Sequence, residues 1–212
     1  MIQQKAKTIV LLTAVALSSV TGYSAIVGQV WQNEQAAAQN ATLAQAAVLG
    51  TPDAKFNPVA IDFDSRDDGY TLRQFLRDPV FYDTQPTFDP DITSNDTYYL
   101  FTGELFLNAG ANNFVIPHDD GLQLLIDGIG MVVNQPGPTA PVETPFTVTA
   151  PAAGLYSFQL SYGECCGPPG VLAFSINGAP VGNTTVPDSG ATLGLLSLTL
   201  SIIGILRASK KA

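Results

Sequence analysis

The sequence is poor in the groups that usually carry catalysis. Its 212 residues include one histidine, His118, and two cysteines that are adjacent, Cys165 and Cys166. Nucleophilic catalysis normally pairs a Ser or Cys with a base such as histidine, and this chain offers almost nothing for such a pair. It also lacks a Gly-x-Ser-x-Gly elbow, a His-Glu-x-x-His zinc motif and a phosphate-binding loop. We therefore expect a protein that is not an enzyme.

Positive charge is also scarce. The formal net charge is −9, and residues 26–185 contain 17 Asp and Glu against 4 Lys and Arg, a balance of −13. A surface of this kind repels nucleic acid and anionic lipid, so neither is an expected partner. It suits an extracellular domain that tolerates or binds divalent cations.

Residues 1–24 have the layout of a secretory signal peptide. Lys5 and Lys7 precede an uncharged run at 8–20, which fits a positive start followed by an apolar core of roughly 7–15 residues. Two places match the small-x-small rule for cleavage, "GYS" at 22–24 and "AQA" at 44–46, and both stay open. The alternative interpretation of this segment is an uncleaved membrane anchor.

Residues 184–212 form a second terminal segment. Sixteen uncharged residues at 191–206 are followed by the basic Arg207, Lys210 and Lys211. As a helix this run reaches about 24 Å, short of the ~30 Å hydrocarbon core, so it predicts a short transmembrane helix of the stop-transfer type. The basic tail is expected on the cytoplasmic side, and a plain tail anchor is the alternative.

The residues before that run carry a motif, Val186, Pro187, Asp188, Ser189 and Gly190. The motif, the apolar run and the basic tail together resemble the C-terminal sorting signals of the PEP-CTERM class, in the variant with Val-Pro-Asp-Ser-Gly. The resemblance implies an exosortase-type transpeptidase as partner, in a Gram-negative bacterium that makes an exopolysaccharide. It implies passage through the inner membrane and then residence at the cell surface or in the extracellular matrix.

Between the two ends, the sequence predicts one all-β domain. Residues 25–54 are Ala/Gln-rich and are assigned to a linker or helix, and residues 55–183 to an antiparallel β-sandwich. The clearest strand is "LYSFQLSY", in which Tyr156, Phe158, Leu160 and Tyr162 alternate with small polar residues. Asp-Gly at 127–128 and Asn-Gly at 177–178 are turn sequences, and residues 71–78 predict one short helix. Strands are expected at 59–63, 98–107, 113–117, 122–126, 131–133, 146–150, 155–162 and 171–176.

The adjacent cysteines, Cys165 and Cys166, have no distant partner within the chain. Thiols of an exported protein tend to oxidise, and a bond between neighbours must form across a Cα separation of about 3.8 Å, where ordinary disulfides span roughly 4.4–6.8 Å. A vicinal disulfide, free buried thiols and intermolecular pairing therefore remain three hypotheses. A soft-metal site is disfavoured because two thiolates and one histidine leave a tetrahedral site short of ligands.

Two adjacent carboxylates, Asp119 and Asp120, follow His118 and precede Gly121. Consecutive strand residues point to opposite faces, so these carboxylates converge only through an unusual backbone. Convergence needs a compensating force, and a calcium ion supplies one because it takes six to eight oxygen ligands. The pair predicts a calcium site.

Several short motifs then resemble the protective-antigen-type β-sandwich, the adhesion domain shared with yeast flocculins and GLEYA adhesins. They occur in the family's order over residues 98–180, and they are Asp119-Asp120-Gly121, Ile126-Asp127-Gly128, Gly154-Leu155-Tyr156, Tyr162-Gly163-Glu164 and the strand at 171–176. In the adhesins, the paired aspartates form a cis peptide that holds calcium, and the calcium holds sugar hydroxyls.

The resemblance implies a site on this chain. Asp119, Asp120 and Glu164 are the implied metal ligands, although the adhesins tend to have Asn where Glu164 stands. His118, Cys165 and Cys166 are placed in the ligand-binding region, and His118 is favoured as a hydrogen-bonded loop residue over a metal ligand. We expect calcium-dependent binding of extracellular polysaccharide, or adhesion in a biofilm matrix. The alternatives are a structural matrix protein with a calcium-stiffened loop and a glycan-active hydrolase using Asp119 or Asp120.

Overall fold

The computed structural model describes residues 25–65 and 69–183. The predicted signal peptide at 1–24, and the sorting motif and apolar run within 184–212, lie outside the described residues. Within the described part, no helix is long and apolar enough to cross a membrane.

The described chain folds as two facing antiparallel sheets, as the sequence predicts. The first sheet has seven strands in the order β4-β2-β1-β5-β10-β7-β8. Its strands are β1 (Val27–Trp31), β2 (Ala54–Phe56), β4 (Phe81–Tyr82), β5 (Thr97–Leu107), β7 (Leu122–Ile126), β8 (Gly130–Gln135) and β10 (Gly154–Glu164).

The second sheet runs β13-β12-β6-β11-β3, and β9 pairs with β6 beside this path. Its strands are β3 (Asp62–Ser65), β6 (Gly110–Asp119), β9 (Val142–Ala150), β11 (Gly170–Ala173), β12 (Ser175–Ile176) and β13 (Ala179–Pro180).

Aromatic side chains fill the space between the sheets. Phe101 of β5 stacks on Phe63 of β3 with ring centroids 5.9 Å apart, and Phe158 of β10 meets Phe174 edge-on at 6.2 Å. These side chains are at most 2% exposed. Burial of such apolar area is the main force that holds the two sheets together. The predicted inward face of β10 is confirmed for Phe158, Leu160 and Tyr162, which are buried in this core.

The N-terminal boundary differs from the expected one. Residues 25–54 are not a linker, because β1 pairs with β5 from Val27↔Thr102 to Trp31↔Tyr98 inside the first sheet. Two short helices follow, α1 (Gln35–Ala38) and α2 (Gln45–Leu49). The Ala/Gln-rich composition conceals β1, whose five residues are too few to show a clear alternation. Cleavage at 44–46 would remove β1, whereas cleavage at 22–24 would leave every described strand in place.

Local turn chemistry explains where the elements end. Asn177 and Gly178 have φ values of 53° and 80°, and they join β12 to β13 as the Asn-Gly sequence predicts. The third helix, α3 (Leu72–Phe75), begins with a capping box between Thr71 and Gln74. It is shorter than the predicted 71–78, because Arg77 and Asp78 adopt positive φ and leave the helix.

Candidate functional site

Three loops meet at one end of the sandwich. The β6–β7, β8–β9 and β10–β11 connections each pass from one sheet to the other, and the Gly163 N–H donates to the Gly121 carbonyl at 3.0 Å. A Cβ at Gly121 would overlap the backbone of Pro136 and Gly137, so only glycine lets the first two loops approach this closely. The predicted Asp119, Asp120, Cys165 and Cys166 therefore lie around one cavity of about 380 Å³.

Asp120 lies at the centre of the three loops. Its Oδ1 accepts a hydrogen bond from the Thr139 N–H at 3.1 Å, and its Oδ2 accepts one from the Cys165 N–H at 2.9 Å. The residue is 4% exposed. Burial raises the pKa of this carboxyl, and the two backbone donors partly offset the effect. One side chain thus joins all three loops.

Asp119 lacks comparable support. The peptide bond between Asp119 and Asp120 is cis, as the adhesin resemblance implies. Asp119 is 5% exposed. Among the described residues, its carboxylate contacts the Asp120 carboxylate and does not accept a hydrogen bond from a backbone N–H as Asp120 does. Burial and the neighbouring negative charge raise the pKa of Asp119 to about 7.

Glu164 faces inward, away from the cavity. It is 1% exposed, its Oε1 accepts a 2.7 Å hydrogen bond from the Tyr70 hydroxyl, and its Oε2 contacts the Tyr162 hydroxyl. Burial raises the pKa of Glu164 to about 8, against the opposing effect of the two hydroxyls.

The hydrogen bonds around Glu164 then form one chain. The Tyr162 hydroxyl also contacts the Asp119 carbonyl oxygen, and a hydroxyl has a single proton. The Tyr162 hydroxyl therefore shares its one proton between Glu164 Oε2 and the Asp119 carbonyl oxygen. Glu164 is thereby placed behind the aspartates as a support for their backbone, which differs from the ligand role that the family resemblance implies.

His118 is a hydrogen-bonded residue at the end of β6. Its Nδ1 lies 2.6 Å from the Asp120 carbonyl oxygen, and its Nε2 lies 3.1 Å from Thr144 Oγ1. Because a carbonyl only accepts, Nδ1 carries the proton. The side chain is fully buried and does not line the cavity, so the structure places it in support of the loop and not at the ligand-binding surface.

Cys165 and Cys166 are joined by a disulfide bond, which agrees with the first of the three hypotheses for the pair. Cys165 is 1% exposed, and Cys166 is exposed at the cavity. Both sulfurs lie within 4.8 Å of the Asp120 carboxylate. Disulfide sulfur is not a thiolate, so this cluster does not make a soft-metal site.

The donor set fits a hard cation. Asp119 and Asp120 offer four carboxylate oxygens, and the two oxygens of Asp120 keep free lone pairs beside their backbone donors. Calcium takes six to eight oxygens at about 2.3–2.6 Å, so further positions remain for carbonyls, water or ligand hydroxyls. A cation between the two aspartates would offset the burial that raises both pKa values and the charge of Asp120 that further raises the pKa of Asp119.

The β8–β9 loop is the part of the site that the sequence motifs miss. Thr139 donates its N–H to Asp120, and Pro138, Ala140 and Pro141 line the cavity. Nothing in the sequence of residues 136–141 marks it as part of a site. Its position follows from β8 and β9 lying in different sheets.

A larger cavity of about 490 Å³ lies elsewhere, between the β2–β3 and α3–β4 connections, and it is lined mainly by apolar residues.

Comparison with known proteins supports the fold. No family model and no curated protein matches the sequence. A PA14 sugar-binding domain from an RTX adhesin is 22% identical, with a TM-score of 0.55 over 75% of this chain and 94% of that one. The PA14 domain of the antifreeze protein MpAFP is 17% identical, with a TM-score of 0.55 over 82% and 100%.

A third solved structure is the A domain of epithelial adhesin 6 from Candida glabrata, determined in complex with Galb1-3GlcNAc. It is 13% identical, with a TM-score of 0.51 over 79% of this chain and 87% of that one. The described chain is thus a β-sandwich with the fold of PA14 domains. The predicted protective-antigen-like fold is confirmed.

Proposed function

We propose that this protein is an exported module that binds carbohydrate through a calcium ion held by Asp119 and Asp120. The observation that carries the proposal is the pair of contacting carboxylates, each at most 5% exposed, at the floor of an open cavity. Buried carboxylates are costly unless a positive charge or strong donors accompany them.

No protein cation fills that role within residues 25–65 and 69–183. The described basic side chains form ion pairs with other aspartates, at distances of 2.9–3.3 Å: Lys55 with Asp83, Arg73 with Asp78 and Asp91, and Arg77 with Asp62. A divalent ion is therefore the natural counter-charge for Asp119 and Asp120.

Carbohydrate is the ligand class that such a calcium site favours. A calcium ion at the cavity floor would have coordination positions on its open side, where pairs of sugar hydroxyls are suitable oxygen ligands. The shared fold with two solved structures described as sugar-binding or sugar-bound supports this assignment. Export, exosortase processing and a place in an exopolysaccharide or biofilm matrix complete the proposal, and they rest on the sequences of the two terminal segments.

A structural role without a sugar is the second candidate. Asp120 already joins three loops, so a calcium ion beside it would stiffen this end of the sandwich whether or not a ligand binds. Hydrolysis is less compatible with the geometry. Glycosidases hold two carboxyl groups about 5–9.5 Å apart around the scissile bond, whereas Asp119 and Asp120 contact one another.

The test measures calcium and glycan binding on the same purified full-length protein. Calcium at a hundred times its dissociation constant should stabilise the fold by about 2.7 kcal/mol, and excess chelator should reverse the effect. A glycan array should give binding in calcium that the Asp119→Asn/Asp120→Asn variant lacks. Stabilisation without glycan binding favours the structural role, and no stabilisation contradicts the calcium site.

A further inference from the structure

The two halves of the Cys165–Cys166 disulfide differ in their access to solvent. Cys165 is 1% exposed, whereas Cys166 is an exposed residue on the β10–β11 side of the cavity. The side-chain amide of Gln39, which is also exposed, donates to Cys166 Sγ at 3.8 Å. Thiol–disulfide exchange begins when a thiolate attacks one accessible sulfur of the bond. The structure therefore presents Cys166, and not Cys165, to an incoming thiol.

The exchange at this bond is a balanced two-step reaction. The sulfur of a small thiolate bonds to Cys166 Sγ, the disulfide breaks, and Cys165 Sγ leaves with the electron pair and takes a proton from water. A second thiolate then attacks the reagent sulfur of the mixed disulfide and releases Cys166 as a thiol. Two reagent thiols are oxidised to one disulfide, and the protein disulfide is reduced to two thiols.

The loop that carries the disulfide also holds Asp120. The Cys165 N–H donates to Asp120 Oδ2 at 2.9 Å, and both sulfurs lie within 4.8 Å of that carboxylate. Further along the loop, the Gly167 N–H donates to Asn95 Oδ1 at 3.1 Å. The hydrogen bond of Gly167 does not involve the sulfurs. Movement that follows opening of the disulfide therefore falls on the backbone of Cys165 and on its contact with Asp120.

Reduction changes this contact in two ways. Cys166 has a φ of 69°, in the left-handed region that a residue with a side chain keeps only where its surroundings enforce it. The ring closed by the disulfide supplies such a constraint, and reduction removes it. The freed Cys165 thiol is also an S–H donor beside Asp120, and a lone pair that accepts from it is not available to a cation.

We propose that Cys166 is a thiol-exchange site, and that opening of the Cys165–Cys166 disulfide there lowers the affinity of the Asp119–Asp120 site for calcium. The inference rests on the proposed function, to which it adds a reaction with small thiols. The disulfide thereby couples the redox state of the surroundings to the occupancy of the calcium site.

The first test measures calcium binding by titration calorimetry on the purified full-length protein, before and after reduction with dithiothreitol. We expect the dissociation constant for calcium to rise at least fivefold on reduction. The Cys165→Ser/Cys166→Ser variant is the control, and it should bind as weakly as the reduced protein whether or not dithiothreitol is present. Circular dichroism checks that the reduced protein and the variant keep the β-sandwich.

Calcium should act on the disulfide by the same factor, because coupling between two equilibria is reciprocal. The protein is equilibrated in mixtures of reduced and oxidised dithiothreitol, alkylated and weighed by mass spectrometry. The ratio of disulfide to dithiol protein should be at least fivefold higher in calcium that saturates both forms than in excess chelator. An equal ratio in the two conditions contradicts the coupling.

A third measurement identifies the sulfur that is attacked. The protein is treated briefly with glutathione, and the free thiols are trapped with N-ethylmaleimide. Fragment masses should place glutathione on Cys166 and maleimide on Cys165. Glutathione mainly on Cys165 would overturn the assignment of Cys166 as the exchange site.

The outcomes separate this inference from the function on which it rests. Equal calcium affinity of the oxidised and reduced proteins overturns the coupling and leaves the calcium site intact. Loss of the β-sandwich on reduction also overturns it, because the disulfide would then hold the whole fold and not the site. Calcium binding by neither form overturns the proposed function and the coupling together.

Discussion

The backbone N–H of Cys165 donates to Oδ2 of Asp120 at 2.9 Å, across 45 positions of sequence. The other oxygen of the same carboxylate accepts from Thr139. Asp120 therefore acts as a structural connection between loops as well as a candidate metal ligand. These two roles respond differently to substitution, so stability measured without metal isolates the first of them.

Asp120→Ala should destabilise the protein even in excess chelator. The substitution removes both acceptors and leaves the buried Cys165 amide without a partner, which costs roughly 1–3 kcal/mol. Urea unfolding in chelator measures the loss. Glu143→Ala, at an exposed carboxylate on β9, is the control and should change the free energy of unfolding by less than about 0.5 kcal/mol. If Asp120→Ala and Glu143→Ala are equally stable, the hydrogen bonds of Asp120 do not stabilise the contact between the loops.

Glu164 should make the protein less stable as the pH rises. Its pKa is about 8 in the fold, above the ordinary value of 4.5, so the fold favours the protonated carboxyl. The contribution is fully present below pH 4.5 and is lost as the pH passes through 8. Asp119, with a pKa of about 7, acts in the same direction in the absence of metal.

The Glu164→Gln variant isolates the contribution of Glu164. An amide keeps a donor and an acceptor but does not ionise. In chelator, the parent protein should therefore lose stability relative to this variant between pH 5 and pH 9, by an amount on the order of a few kcal/mol. Chemical unfolding at several pH values provides the measurement. A constant difference across that range would show that Glu164 is already ionised in the fold.

Much of the sandwich follows from short-range sequence pattern. The predicted strand at 122–126 has the observed bounds, and Asn177-Gly178 forms the predicted turn, because alternation and turn chemistry are local properties. Ser161 shows where local pattern fails. It alternates as an outward-facing residue of β10, yet it is fully buried, because the segment around α1 covers that part of the sheet.

Some features of the candidate site were likewise predictable from the sequence, and others were not. Motif order places four predicted residues around one cavity, because β6 and β10 end at the same end of the sandwich. These residues are Asp119, Asp120, Cys165 and Cys166. The inward direction of Glu164 depends on Tyr70, which is 94 positions away and carries no motif. Contacts between distant residues of this kind are set by the packing of the two sheets, and a single sequence does not encode them visibly.

The disulfide makes a simple chemical prediction. In denaturant without reductant, Cys165 and Cys166 should not react with iodoacetamide, because both sulfurs are in the bond. After reduction, the intact mass should increase by two carbamidomethyl groups. Two alkylations without prior reduction would mean free thiols, and a covalent dimer that reductant dissolves would mean intermolecular pairing.

The segment at residues 34–49, which contains α1 and α2, should be stabilised by the buried hydroxyl of Ser161. Ser161 donates a 2.6 Å hydrogen bond to the carbonyl of Ala41, and the neighbouring Ala41 N–H donates to the Pro136 carbonyl at 2.8 Å. Ser161→Ala leaves the buried Ala41 carbonyl without this donor, so we expect a loss of about 1–3 kcal/mol in the free energy of unfolding.

Ser157→Ala is the matched control, because Ser157 lies on the same strand and face but is exposed. Limited proteolysis supplies a second measurement. Cleavage within residues 34–49 should become faster in Ser161→Ala and stay unchanged in Ser157→Ala, since local opening of that segment exposes its backbone. Equal cleavage of both variants would mean that the segment is held by the apolar contacts of Trp31, Ala41 and Tyr98 and not by this hydrogen bond.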